Sequence, residues 1–455
     1  MASLAHLHFV GIAGSFMVGA ARLAAECGYK VSGSDTGFYP PMGEQARNIK
    51  ATLFEDYDFD VKSRPADCYI IGNALSRGNP LVESILREHR PYISGPQWLY
   101  ENILRGKTTL AVAGTHGKTT TASLLSWILE GADFSPGFLL GGVHQNFGVS
   151  AKLGGGRYFV IEADEYDSAF FDKRPKFLHY HPTVAVLNNL EFDHADIYDS
   201  IDEITKQFHY LMRTIPEDGQ VLVRLGDDNL KHVIKRGVYS PILTFGGNDN
   251  GDWQWRFMNG DMAITKNGVE CCRFTPPITG AINRDNILAA TAAAAAVGVD
   301  VAKIGEYLQS YQPPLRRLQK IVEANNILIF DDFAHHPTAY RRTIEALAET
   351  YPKRRIIVAF EPRSNSMKAG VFNKALATAF TGAARVIAYS GGVTWSLADV
   401  LSPLGDVAVT EDVIDNVANR IADEARPGDC VLLMFNGDFG GLAKKIKSRF
   451  LEKVC

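Results

Sequence analysis

The sequence predicts an α/β protein of three successive domains, residues 1–106, 107–313 and 314–455. Three observations predict it. At 455 residues the chain is too long for one hydrophobic core, and a prior of roughly 150 residues per domain gives about three. Apolar runs of strand length alternate with helical spacing from end to end. The informative runs end in glycine, asparagine or acidic residues, where parallel α/β sheets bind ligands. Composition agrees, since 46% hydrophobic and 22% charged residues describe an ordinary soluble globular protein. A net charge of −4 without a basic block argues against an electrostatic nucleic-acid binder.

In the first domain, His6–Gly11 (HLHFVG) reads as a strand. Gly11-Ile-Ala-Gly14-Ser-Phe-Met-Val-Gly19 and an Ala-rich helix follow, and a second strand, Tyr29–Ser34, ends in Asp35. This is the plan of a Rossmann-type βαβ unit, with an acid placed to meet a ribose. The dinucleotide pattern G-x-G-x-x-G does not fit, because Ala13 and Phe16 stand where glycines are needed, so an NAD-dependent dehydrogenase is a rival reading and a structural turn a third. Asp67–Gly72 is another buried strand, with Asn73 and Ser76 at its carboxyl end.

The middle domain carries the sharpest signal, LAVAGTHGKTTTASLLSWILE from Leu110 to Glu130. Leu110–Ala113 is short enough for a buried strand, Gly114-Thr115-His116-Gly117 must turn, and from Thr119 the apolar spacing is helical. A strand, a glycine loop and a helix N-terminus gather backbone N–H groups around one point, a geometry that holds phosphate. Lys118 adds a positive charge for the β/γ-phosphates and Thr119 a hydroxyl for Mg²⁺, with Thr120 beside it. Val112 breaks the strict G-x-x-x-x-G-K-[ST] pattern, leaving the shorter form G-T-H-G-K-T-T. A glycine turn with a surface lysine is the minority reading. Farther on, Tyr158–Ile161 is a strand delivering Glu162, Asp164, Glu165 and Asp167, and Thr183–Leu187 delivers Asn188, Asn189, Glu191, Asp193, His194 and Asp196. Acids beside such a loop suit bridging Mg²⁺, with Glu162 and His194 favoured over the others. Asn283 and Asn286 enter a long Ala-rich helix, as an N-cap or as nucleotide contacts from one face.

In the last domain, strands are expected near 326–331, 355–360, 385–389 and 430–435. Asp331-Asp332-Phe-Ala-His335-His336-Pro337, Glu361-Pro-Arg363-Ser-Asn365 and Asn436-Gly437-Asp438 follow three of them and mark one edge as a ligand face. The six cysteines form no C-x-x-C pair, as expected in a reducing cytoplasm. The N-terminus lacks the basic region of a signal peptide, and the Ala-rich run at 289–296 is too short to span a bilayer. A cytoplasmic protein without nucleic-acid or membrane partners is expected, as a monomer or weak homo-oligomer.

With these motifs the chain resembles the Mur ligase family over essentially its whole length. The resemblance implies a Rossmann-like N-terminal domain, a central P-loop ATPase-type domain and a C-terminal Rossmann-like domain. It implies ATP-driven formation of an amide bond, in the class of acid–amino-acid ligases (EC 6.3.2). Carried over residue by residue, it puts Gly114 through Thr120 on ATP, and Thr119, Glu162 and His194 on Mg²⁺. It places Asn283, Asn286, Arg317 and Asp332 around the nucleotide. Lys118, Glu162, His194, Arg317 and Asp332 are then the catalytic set. Ile282 stands where a His usually precedes the first Asn, and Lys206-Gln-Phe-His209 leaves open whether Lys206 is the carbamylated lysine of other members.

The stretches Gly14-Ser-Phe-Met17, Ser32-Gly-Ser-Asp35 and Asp331–Thr338 resemble the branch of the family that takes UDP-N-acetylmuramate. Within it, Phe38–Met42, Glu162–Lys176, Asn188–Tyr198 and Glu361–Lys368 resemble the members that add the murein tripeptide L-Ala-γ-D-Glu-meso-diaminopimelate in peptidoglycan recycling. The L-alanine-adding members of cell-wall synthesis are the alternative. Gly14, Ser15, Phe16, Met17, Asp35, Asn73 and Ser76 are expected on the sugar nucleotide, and His335 and Arg363 on the acceptor side. The implied chemistry is transfer of the γ-phosphate to the lactyl carboxylate, then attack by the acceptor amine, with three domains closing around the reactants. A dehydrogenase leaves the phosphate loop idle, and a nucleotide-sensing switch leaves Asp332, His335 and Arg363 idle.

Overall fold

The computed structural model describes residues 5–247 and 250–452. Its described residues form four sheets, distributed over two compact units. One unit comprises residues 1–192, 200–277 and 285–314; the other comprises 193–199, 278–284 and 315–455.

The first unit holds three of these sheets, the smallest a two-stranded ribbon of Asp167–Ala169 and Asp172–Pro175. One has five parallel strands in the order Ala51–Phe54, Lys30–Ser34, His6–Val10, Cys68–Ile71, Tyr92–Ser94. The chain leaves His6–Val10 towards one side and later returns on the other, so strand order reverses there and opens a crevice at the strand ends. Helix Ser15–Glu26 starts at that crevice and buries Met17, Val18, Leu23, Ala20, Ala21 and Ala24.

The second sheet has ten strands. Its parallel heart runs Gly137–His144, Tyr158–Ala163, Thr108–Ala113, Val184–Leu187, Gln220–Arg224, Ile242–Gly246. Val149–Lys152 closes one edge, and an antiparallel extension (Trp253–Met258, Asp261–Lys266, Val269–Phe274) closes the other. Leu110, Ala111, Val112 and Ala113 are buried, as an unbroken apolar run at the centre of a parallel sheet should be. This strand is the second switch point, flanked by Tyr158–Ala163 and Val184–Leu187, so the loops after all three strands emerge together.

The other unit contains a six-stranded sheet in the order Gln319–Ala324, Ile327–Asp332, Cys430–Met434, Ile356–Phe360, Arg385–Tyr389, Ala408–Glu411. Only the first pair is antiparallel. Two apolar layers pack on its faces, one around Tyr340, Phe360 and Phe380 and the other around Ile329, Val431 and Phe439. Every expected strand is present within one or two residues. Segments 193–199 and 278–284, which lie within 107–313 in sequence, cluster with the C-terminal unit. Local bonds explain both placements. Asp193 Oδ1 accepts from Ser366 Oγ at 2.9 Å and Asn365 Nδ2 donates to Asp196 Oδ2 at 2.8 Å, while Arg284 makes a two-pronged pair with Glu349 at 2.6 and 3.0 Å. Among the described residues, no helix is long and apolar enough to cross a membrane, and Cys27, Cys68, Cys271, Cys272 and Cys430 are free thiols; Cys455 lies outside the described residues.

Candidate active site

The phosphate loop is built as its residue types require. Gly114 and Gly117 have φ of 137° and 80°, a region favouring glycine, and a Cβ on Gly117 would come within 2.5 Å of Asn286 Oδ1. Helix Lys118–Gly131 begins directly after Gly117, with no side chain capping its first amides, which suits them to an anion. The loop after Val184–Leu187 fastens it: Asn189 Oδ1 accepts from His116 N at 2.8 Å, and Asn189 Nδ2 donates to His116 O at 2.9 Å. Thr115 exchanges bonds with the Glu191 backbone at 2.8 and 3.2 Å, and His116 Nε2 lies 3.3 Å from Glu191 Oε2.

The Lys118 side chain is only 11% exposed, and its Nζ donates to Glu165 Oε2 at 2.7 Å. Burial alone would lower the ammonium pKa. Glu165, Asp164 and Glu162 outweigh it and raise the pKa above the ordinary lysine value. Thr119 Oγ1 donates to Glu162 Oε2 at 2.9 Å, an oxygen that also accepts from Gly141 N at 2.7 Å. A Cβ on Gly141 would come within 2.8 Å of that carboxylate, so glycine leaves it clear. Asn286 Oδ1 accepts from Thr121 Oγ1 at 3.1 Å. Asn283 Nδ2 donates to Thr279 O at 2.7 Å. The helix spans Ala281–Ala296, so neither asparagine is its N-cap. Thr120 is buried in the first turn.

At the first crevice, Gly14 and Ser15 are exposed at the start of their helix. Asp35 ties this loop down: Oδ2 accepts from Ala13 N at 2.9 Å, and Oδ1 from Thr36 N and Gly37 N at 2.8 and 3.0 Å. Its carboxylate shapes the loop. The Met17 side chain is buried against Gly72 and Gly95, with Phe16 also on Gly95. Ser76 is exposed and Asn73 half-buried on the facing loop.

The C-terminal unit gathers a second set. Asp332 is buried and accepts from Leu318 N at 2.7 Å and Ala334 N at 2.8 Å. Burial raises its carboxyl above the usual range, opposed by Arg317. Arg317 lies over the Phe333 ring at 5.2 Å. His335 Nδ1 is 2.9 Å from Phe333 O, and His336 caps helix Pro337–Thr350. His194 has φ of 58° and follows Asp193, whose carboxyl is held near 2 because His194, His335 and His336 together outweigh its burial. Arg363 is about half exposed, 3.6 Å from Glu361 Oε1. Lys206 is exposed, with its Nζ 5.8 Å from the Tyr210 ring.

Residues 6–107 match the Mur ligase family catalytic domain, 112–294 the Mur ligase middle domain and 316–437 the Mur ligase glutamate ligase domain. The UDP-N-acetylmuramate–L-alanyl-γ-D-glutamyl-meso-2,6-diaminoheptandioate ligase of Escherichia coli (strain K12) is 43% identical over 98% of this chain and 99% of its own. The chain belongs to the Mur ligase family. The UDP-N-acetylmuramate–L-alanine ligase of Desulforamulus reducens is 32% identical over 98% of both chains. The crystal structure of a murein peptide ligase from Psychrobacter arcticus superposes with a TM-score of 0.78, at 36% identity and 98% coverage of both chains.

Sequence reading passed over several residues of this Mur ligase. Glu165 appeared only as one of four acids, and nothing in its spacing singles it out as the partner of Lys118. Asn189 looked like a strand-end residue and proves to be the loop's fastener. Arg316, beside the expected Arg317, donates to Phe435 O and Gly437 O at 2.6 and 2.9 Å. Its adjacency to a proposed site residue was the available signal.

Proposed function

We propose that this Mur ligase is an ATP-dependent ligase that joins L-alanyl-γ-D-glutamyl-meso-diaminopimelate to the lactyl carboxylate of UDP-N-acetylmuramate, in peptidoglycan recycling. The observation that carries the reading is full-length identity to the tripeptide ligase, well above that to the L-alanine ligase. Residues 1–106 are proposed to take the sugar nucleotide, 107–313 ATP and 314–455 the acceptor peptide. A cytoplasmic location and a monomeric or weakly associated state belong to the same proposal.

A carboxylate is a poor acylating agent, because its leaving group would be oxide. Phosphorylation by ATP makes an acyl phosphate, and attack by the peptide's α-amine then expels phosphate and forms the amide. The loop amides and Lys118 hold the phosphates and offset charge that develops during transfer. For this Lys118 must leave Glu165, and a charged lysine is what the surrounding acids maintain. The donors at Thr119 and Glu162 are hard oxygens converging within 2.9 Å under an unobstructed glycine, a set that fits Mg²⁺; His194 is proposed as a further ligand through the resemblance. Mg²⁺ bound there would supply charge neutralisation at the phosphates. Asn286, Asn283, Arg317 and Asp332 are proposed nucleotide contacts, and His335 an acceptor-side one. ADP release should require UDP-N-acetylmuramate and tripeptide together. Release that needs neither, or turnover of NADH, would overturn the reading.

A further inference from the structure

One buried cation of the first unit has no part in the chemistry above. Lys176 is buried and follows directly on the two-stranded ribbon, whose second strand ends at Pro175. The ribbon folds the chain back on itself, so Lys176 N donates to Tyr166 O at 2.9 Å. Its side chain thereby meets the acids at the end of strand Tyr158–Ala163. Those acids are sorted by partner. Glu162 accepts from Thr119 and Gly141, Glu165 from Lys118, and Asp167 from the exposed Lys173 at 2.6 Å. Asp164 Oδ2 accepts from Lys176 Nζ at 2.9 Å. The same ammonium lies 5.6 Å from the centroid of the Phe16 ring and 5.5 Å from that of Tyr166. Taking an ammonium out of water carries a large desolvation cost, which here a carboxylate and two aromatic faces offset. Phe16 sits in the 14–17 loop at the start of helix Ser15–Glu26, whose first amides no side chain caps. A Cβ on Gly95 would come within 2.7 Å of its ring, so the ring rests on bare backbone there and meets the ammonium as well.

We infer that Lys176 is a positioning residue for the sugar nucleotide: anchored on Asp164, it holds the Phe16 ring and with it the 14–17 loop in the shape that receives the diphosphate. This rests on the sugar-nucleotide role proposed for residues 1–106. The loop is fastened on either side of Phe16. Asp35 takes the Ala13 amide on one side, and the Met17 side chain is buried on the other. Phe16 itself is only half-buried. A cation attracts the face of a ring and not its edge, so Lys176 sets how Phe16 is turned as well as where it lies. Lys176 acts through Phe16 and need not touch the ligand. Because Asp164 belongs to the acids beside Lys118, the same side chain ties the sugar-nucleotide loop to the phosphate-loop end of the unit.

The test is calorimetric titration of the full chain with UDP-N-acetylmuramate alone, and separately with ADP. Lys176→Gln keeps a donor for Asp164 but removes the cation from the Phe16 face. It should weaken UDP-N-acetylmuramate binding by about 5- to 30-fold, the scale of a desolvated cation–π contact. ADP affinity should stay within about twofold, since the phosphate loop keeps its own partners. Lys176→Arg restores a cation and should bind the sugar nucleotide within about threefold of the wild type. Phe16→Leu closes a double-mutant cycle. It should weaken binding in the wild-type background and cost much less in Lys176→Gln, because the shared contact is already gone. Lys176→Gln binding as tightly as the wild type would overturn the inference, as would strictly additive effects of the two substitutions. Equal losses for ADP and the sugar nucleotide, or no rescue by Lys176→Arg, would make Lys176 a general structural support and overturn it too. A wild-type chain that does not bind UDP-N-acetylmuramate would overturn the role proposed for residues 1–106, and the inference with it.

Discussion

Lys118 and Glu165 form a buried ion pair that this mechanism must break, and their energetics can be measured apart from catalysis. Their charged atoms lie 2.7 Å apart, and their side chains are 11% and 3% exposed. With an effective dielectric of about 20, that separation corresponds to roughly 6 kcal/mol of gross attraction. Desolvation takes back much of it, and removing one partner of a buried pair costs about 3 kcal/mol. Lys118→Met and Glu165→Gln should therefore each destabilise the unliganded protein by about 3 kcal/mol, lowering the apparent Tm by roughly 6–12 °C for a domain of this size. The double variant leaves neither charge without its mate and should recover most of that loss. Activity should behave differently. Lys118→Met should lose at least about a hundredfold in rate, as for a lost charge-stabilising donor, and the double variant should stay equally inactive. Calorimetric unfolding and an ADP-release assay on the four proteins give both readouts. Additive destabilisation in the double variant would refute the coupled pair, and near-normal turnover by Lys118→Met would make the loop structural.

Other perturbations probe the remaining parts. Glu162→Ala should lose activity and regain part of it at high Mg²⁺; full activity at limiting Mg²⁺ would remove Glu162 from the metal site. Arg363→Ala should raise the tripeptide KM by about tenfold or more, as expected for a lost charge-assisted contact, with the other KM values unchanged; unaltered tripeptide kinetics would exclude it. His144 is buried among Trp127, Phe138 and Phe147, and burial lowers its pKa to about 4 from an ordinary 6.5. The unfolded chain therefore binds the extra proton first, so the stability His144 contributes is intact above pH 6.5 and is lost as pH falls towards 4. The loss amounts to about 3 kcal/mol. Urea midpoints measured across that range should fall less steeply in His144→Asn, and an identical slope would refute the assignment.

Much of the fold was legible because its strands are buried on both faces and its loops carry glycine where the backbone demands it. Val184–Leu187 and Cys430–Met434 read directly as apolar runs, and the turn at Gly114–Gly117 announced the phosphate loop. Long-range pairing was not legible. That Glu165 meets Lys118 while Glu162 meets Thr119 depends on strand Tyr158–Ala163 lying beside Thr108–Ala113, and a list of acids does not contain that register. Segment 193–199 reads as a continuation of the middle domain, yet Ser366 and Asn365 hold it in the C-terminal unit. Position alone marks Asp35 as a candidate ribose ligand, and the three backbone amides on its carboxylate are contacts that no spacing foretells.

A one-pot competition tests acceptor identity most directly. Enzyme, ATP, Mg²⁺ and UDP-N-acetylmuramate are mixed with equal, subsaturating amounts of free L-alanine and L-alanyl-γ-D-glutamyl-meso-diaminopimelate, and the products are separated by mass. The account predicts that UDP-N-acetylmuramoyl-tripeptide accumulates in large excess, with ADP formed one for one. A product dominated by UDP-N-acetylmuramoyl-L-alanine would contradict it.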